Sequence, residues 1–145
     1  MKISFSKKQA AFLDEMLSQF GQISPNISYE AIVNDRVTVV KFDPNTVKML
    51  HANSKQIKHR HLASLCKQLA RAAGVAKCNP EDTNVIEKGM RLAKLKFSKI
   101  VASIVLGTQK QIHQDSTKKI DNFTKRVNNE LVKMKARINS YKGVK

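Results

Sequence analysis

The sequence predicts a mainly α-helical domain with one β-hairpin and two long C-terminal helices, arranged as a helical hairpin or a dimeric bundle. Three observations predict it. Apolar residues recur at helical spacing through most of the chain, and residues 27–42 form a β-branched stretch broken by turn residues. The start signal Asn79-Pro80-Glu81-Asp82 opens a periodic apolar run that reaches Leu106. The 145 residues leave room for a single domain. Residues 1–78 are expected to hold the first helix, the hairpin and a basic helix, and 79–145 a long helical arm.

Ser6-Lys7-Lys8-Gln9 has the form of a capping box, with Phe5 placed to staple onto Ala10. Leu13, Met16, Leu17 and Phe20 follow at helical spacing and Gly21 ends the segment, giving a first helix of about 14 residues. Ile27–Val33 and Val37–Phe42 flank the turn residues Asn34-Asp35-Arg36 and read as one hairpin. A lone hairpin is marginal in water, so it must pack on helices or pair with another chain. A lid over the core is expected ahead of a protruding finger tipped by Arg36.

Asp43 caps the next helix and Pro44 takes its first position, with Val47, Leu50 and Met49 facing inward before Asn53. Ser54 is the expected cap of a helix from Lys55 to Ala73, stopped by Gly74. In it Leu62, Leu65 and Leu69 share one face. Arg60, Lys67 and Arg71 lie nearly opposite, within about 40° of one another at 100° per residue. Lys55 and Lys58 carry the charge toward the N-terminal end. Leu69-Ala70-Arg71-Ala72-Ala73-Gly74-Val75-Ala76-Lys77 resembles the first helix and turn of bacterial helix-turn-helix repressor headpieces, with a small residue four before the turn glycine. The likeness covers nine residues. Cys78-Asn79-Pro80 then starts a new helix where a recognition helix should continue, so an ordinary helix–loop–helix corner is expected.

Asn79 as cap, Pro80 at the first position and Glu81-Asp82 at the positive end of the dipole begin the long helix. It is expected to run about 40 Å to a stop at Gly107. Ile86, Met90, Ala93, Phe97, Ile100 and Ile104 form one apolar stripe. Leu92, Leu95, Ala102 and Leu106 form a narrower one opposite, with Lys88 and Lys99 among them. Apolar residues on two sides call for neighbours on two sides. The last segment, Ser116 to Tyr141, carries Ile120, Phe123, Val127, Leu131, Met134, Ile138 and Tyr141 at intervals of three, four, four, three, four and three. That is close to a coiled-coil seam. This arm is expected to fold back on the preceding helix or to pair with its counterpart in a homodimer or higher homo-oligomer.

Charge bears most directly on function. The net charge is +16, and residues 1–35 take no part in it, with three basic and four acidic side chains. Residues 36–114 hold fifteen basic against four acidic, and 115–145 nine against three. Such an imbalance points to a polyanionic partner. Two cysteines, Cys66 and Cys78, are too few for a disulfide framework and fit a reducing, cytoplasmic compartment. Asp14 and Glu15 interrupt the first apolar run, against a signal peptide, and Ile100–Leu106 is far shorter than the ~20 residues that span a bilayer.

His59 and His61 point about 200° apart on a helix and cannot both reach one metal with Cys66 or Cys78, so neither a metal site nor a cofactor is expected. The carboxylates Asp43, Glu81, Asp82 and Asp115 read as caps, and no phosphate loop or nucleophile elbow occurs, which argues against an enzyme. The residues expected to contact nucleic acid are Lys55, Lys58, Arg60, Lys67 and Arg71, with Lys118, Lys119, Lys125, Arg126, Lys133 and Arg137 on the arm. Lys135 extends that set. Cations of this kind grip the phosphate backbone with little sequence preference. Aromatic residues make up 6% of the chain and tryptophan is missing, which favours duplex DNA or structured RNA over stacked single strands. The rival expectation is a protein–protein module, an assembly component or small inhibitor of the kind viruses encode, docking on an acidic surface. No membrane partner is expected.

Overall fold

The computed structural model describes residues 1–20, 27–34, 36–53, 57–77 and 85–142. In chain order these form β1 (Lys2–Ile3), α1 (Lys7–Ser18), β2 (Tyr29–Asn34), β3 (Val37–Phe42), α2 (Pro44–Asn53), α3 (His59–Arg71), β4 (Ala73–Lys77) and α4 (Val85–Lys142). The chain is mainly helical, with a small antiparallel sheet and a long C-terminal helix. It divides into two compact units, Met1–Thr108 and Gln109–Lys145, and α4 contributes to both.

The local start signals operate as their chemistry requires. Ser6 Oγ accepts a hydrogen bond from the Gln9 N–H at 3.3 Å and begins α1. Asp43 Oδ1 accepts from the Asn45 N–H at 3.0 Å and begins α2. α1 is shorter than the sequence suggests, 12 residues, with Leu13 and Leu17 in the core. Leu50 is buried on α2, and Val47 and Met49 are half-buried. Thr46 joins α2 to the start of β2, accepting from the Ser28 N–H at 2.9 Å and donating to the Ser28 carbonyl at 3.2 Å.

The expected single hairpin is the middle of a four-stranded antiparallel sheet in the order β1-β2-β3-β4. Asn34 pairs with Val37 at the hairpin end, and the register carries Ala31 opposite Val40 and Val40 opposite Gly74. Tyr29, Ala31, Thr38, Val40, Phe42 and Ala76 alternate onto one buried face, as a period of two requires. The opposite face keeps Glu30 and Lys41, paired at 3.2 Å, and leaves Ile32 half exposed. β4 pairs along β3 from Val37 to Lys41, and β1 pairs with Tyr29 and Glu30 at the base of β2, so the hairpin is part of a sheet and does not stand alone.

Two expectations fail at β4. The basic helix ends at Arg71 instead of Ala73, and Leu69–Lys77 forms neither a helix-turn-helix nor a helix–loop–helix corner, because Ala73–Lys77 is a strand. Alanine and glycine are chosen here for size. A methyl group at Gly74 would overlap the Ala93 carbonyl oxygen and stand 2.9 Å from Phe97 Cβ, so β4 lies directly against the α4 backbone. Tertiary fit overrides the helical leaning of the alanines. At its other end α3 begins at His59, after Lys58, rather than at Lys55. The expected caps Ser54 and Asn79, together with Pro80, Glu81 and Asp82, lie outside the described residues.

The third correction concerns Gly107. It does not stop a helix, since α4 runs unbroken from Val85 to Lys142, so there are not two C-terminal helices and no helical hairpin. Glycine in a helix costs about 1 kcal/mol relative to alanine, but it ends a helix only where the chain turns through a left-handed residue. The buried stripe of α4 is also rotated from the expected one. Ala93, Phe97, Val101 and Val105 are buried at strict four-residue steps, Ile100 and Ile104 flank them, and Ile86 is 61% exposed. The close approach of β4 selects small Ala93 over a larger neighbour. Phe97 then meets Phe42 at 4.9 Å and Tyr29 at 5.8 Å between ring centroids, and Phe5 closes on Tyr29 at 4.6 Å. This aromatic cluster fastens α4 to the sheet.

Candidate nucleic-acid interface and helical arm

The cationic face of α3 follows from its amphipathicity. Leu62, Leu65 and Leu69 are buried, and α3 packs against α2 and β3. Arg60, Lys67 and Arg71 are exposed on the other side, and the helix contains no carboxylate. Arg71 sits in the last turn, where its charge also favours the helix dipole. Lys58 is exposed at the position preceding the helix. Lys55 lies outside the described residues. Packing of the leucines fixes the α3 backbone, so the cations hold a set mutual spacing.

The second unit is a helix carrying both charge and apolar residues. Lys118, Lys119, Lys125, Arg126, Lys133, Lys135 and Arg137 are all exposed. So is the seam: Ile120, Phe123, Leu131, Met134 and Ile138 are each more than half exposed, and Val127 is 38% exposed. Residues 109–145 hold ten basic side chains against three acidic, a net of +7. Lys133 lies 3.6 Å from Glu130, and the Arg126 guanidinium lies 5.3 Å from the Phe123 ring centroid.

Some cations of the first unit are committed to the fold. Lys94 Nζ donates to the Ser4 carbonyl at 2.7 Å and stands 5.5 Å over the Phe5 ring, tying α4 to the chain before α1. Arg91 pairs with Glu87 at 2.6 Å along α4. Lys96 Nζ donates to the Val75 carbonyl at 3.0 Å on β4, the terminal strand of the sheet. Capping an edge carbonyl with lysine is one way sheets discourage further strand pairing. Lys96 and Lys99 flank an open groove of about 600 Å³ floored by Val75, Ile100 and Ile104. The charge pattern alone does not single out this groove. The signal available was the spacing of Lys96, Lys99 and Ser103 on one side of α4. The second apolar stripe of α4 is solvent-facing, with Leu92, Leu95 and Leu106 between 42% and 57% exposed.

Chemistry-bearing side chains are few. His61 is buried and His59 exposed, as their separation on a helix dictates. Among the described residues no three His, Cys, Asp or Glu side chains gather to hold a metal. Cys66 is a free thiol whose pKa is pushed up by burial, and Cys78 lies outside the described residues. The Tyr29 hydroxyl is also driven above its ordinary pKa, first by burial and then by the negative charge of Asp14. Among the described residues no helix is long and apolar enough to cross a membrane. No family model, no curated protein and no solved structure matches this chain, so the reading of its function rests on its own surfaces.

Proposed function

We propose that this protein is a non-enzymatic nucleic-acid-binding protein that grips the phosphate backbone of duplex DNA or structured RNA with little sequence preference. One observation carries the reading. Arg60, Lys67 and Arg71 project from a carboxylate-free face of α3, whose opposite face is anchored by buried leucines. Cations on a rigid element can bind phosphates without first losing backbone freedom. Lys118 and Lys125 lie on the side of the arm away from its apolar seam and add contacts of the same kind. Binding should weaken steeply with salt, with a log–log slope of about −5 for six phosphate contacts. Changing Arg60, Lys67 and Arg71 together to glutamate should abolish binding while leaving helicity intact. Failure of the unaltered protein to bind duplex DNA or RNA at about 50 mM salt would end this reading.

A second reading is a helical interaction module docking on an acidic protein, as an assembly component or inhibitor. The exposed seam of the second unit favours it, because contiguous apolar surface of this kind usually marks an interface. Mass in solution, measured before and after nuclease treatment, separates the readings. A complex that survives nuclease favours the protein partner, and one that collapses favours nucleic acid.

A further inference from the structure

Resting on that second reading, we infer that the apolar seam of the second unit is a docking site for an acidic amphipathic helix of another protein. From Ile120 to Ile138 the exposed apolar residues follow one another at steps of three or four, which keeps them on one side of the helix. Paired helices bury stripes of this kind against each other, and this one is narrow, about 100° of the helix circumference. An interfacial membrane helix has a broader apolar face.

Charge decides which helix fits. Lys119, Arg126 and Lys133 recur every seven residues, each immediately before a seam residue, Ile120, Val127 and Met134. On the helix these cations form a row along one flank of the seam, joined by Arg137, with Glu130 beside them and Asp115 one turn before Lys119. Lys135 stands on the other flank. Flanking positions of this kind set partner choice in paired helices. A second copy of the chain would bring another net +7 and another lysine–arginine row against this one, which is unfavourable. A helix with leucine or isoleucine on its seam and glutamate or aspartate on its flanks meets both demands. The cations of α3 belong to the other unit, and Lys118 and Lys125 lie away from the seam, so a helix docked on the seam would not cover them.

The test uses the whole chain and a synthetic peptide of about four heptads with leucine at its seam and glutamate at its flanks, whose own repulsion keeps it from self-pairing. Its twin carries lysine in place of glutamate. Titration followed by fluorescence anisotropy and sedimentation should give a one-to-one complex with the glutamate peptide and none with the lysine peptide. L131D/M134D should weaken binding at least tenfold, and K119E/R126E/K133E likewise. The side chains changed are exposed, so far-ultraviolet circular dichroism should confirm an intact fold. K67E/R71E should lose duplex DNA binding yet keep peptide affinity within twofold, which separates failure of the nucleic-acid reading from failure of this one. Three results would overturn the inference: no capture of the glutamate peptide, capture unaffected by L131D/M134D, or capture that falls with K67E/R71E. So would self-association, or binding to phosphatidylglycerol vesicles, that disappears in L131D/M134D while the glutamate peptide goes unbound.

Discussion

Replacing Gly74 with alanine isolates the contact on which the first unit is built. The added methyl would overlap the Ala93 carbonyl oxygen and lie 2.5 Å from the Phe97 nitrogen and 2.9 Å from Phe97 Cβ. Ordinary carbon contacts are about 3.5–4.0 Å, so α4 must retreat from β4 by about 1 Å. Two of the three obstructing atoms are backbone and cannot rotate away. A gap of that size forfeits about a quarter to a half of each dispersion contact it opens, and Phe97 is fully buried at this point. Overpacking of this kind typically costs about 1–3 kcal/mol, and backbone obstruction puts Gly74→Ala at the upper end. The stiffer unfolded chain returns about 0.4–1 kcal/mol. The net expectation is a loss of about 2 kcal/mol, or about 8–16 °C in Tm for a unit near 100 residues. Urea unfolding followed by tyrosine fluorescence reads it, since Tyr29 lies in the core and there is no tryptophan. The midpoint should fall with the slope unchanged. Wild-type or greater stability of this variant would refute the claim that close approach explains the glycine.

Gly107 should behave in the opposite way. A methyl there meets nothing within 4 Å, and the residue lies inside α4, so Gly107→Ala should stabilise the helix by about 0.5–1 kcal/mol in thermal melts. Tyr29 predicts a dependence on alkaline pH. Its proton is held more tightly folded than unfolded, so its contribution to stability is complete below pH 10 and is lost as pH rises above that. The decline should approach about 1.4 kcal/mol per pH unit, and the difference between wild type and Tyr29→Phe across urea melts at pH 9–11 should recover it. Cys66, buried and with a raised pKa, should react with a thiol reagent at pH 8 much more slowly under native conditions than in urea. Equal rates would contradict its burial.

Features governed by neighbouring residues could be read directly from the sequence. Ser6 and Asp43 act as caps because a short side chain reaches an N–H two or three residues on. The face of α3 could be read because a helix with leucines every three or four residues has one way to bury them. The hairpin could be read from two β-branched runs on either side of Asn34-Asp35-Arg36, and its register sets Asn34 opposite Val37. What escaped depends on residues distant in sequence. Ala73–Lys77 carries helix-favouring alanines, and only the meeting of Gly74 with Ala93 explains its strand. Gly107 shares its composition with a helix stop, and nothing nearby says whether the chain turns there. The buried stripe of α4 was misplaced by about one residue because apolarity was weighed above size. Of the candidate cations, exposure on α3 and on the arm could be anticipated. The groove beside Lys96 and Lys99 could not, since it depends on where β4 lies.

The position of Phe97 also governs how the protein is made. Tyr29 and Phe42 leave the ribosome early, but the ring that closes over them follows Phe42 by fifty-five residues. At about 5–20 residues per second that interval lasts roughly 3–11 s. Throughout it the apolar face of β2 and β3 meets water with no lid, so slower translation over that interval should lengthen the chain's dependence on chaperones.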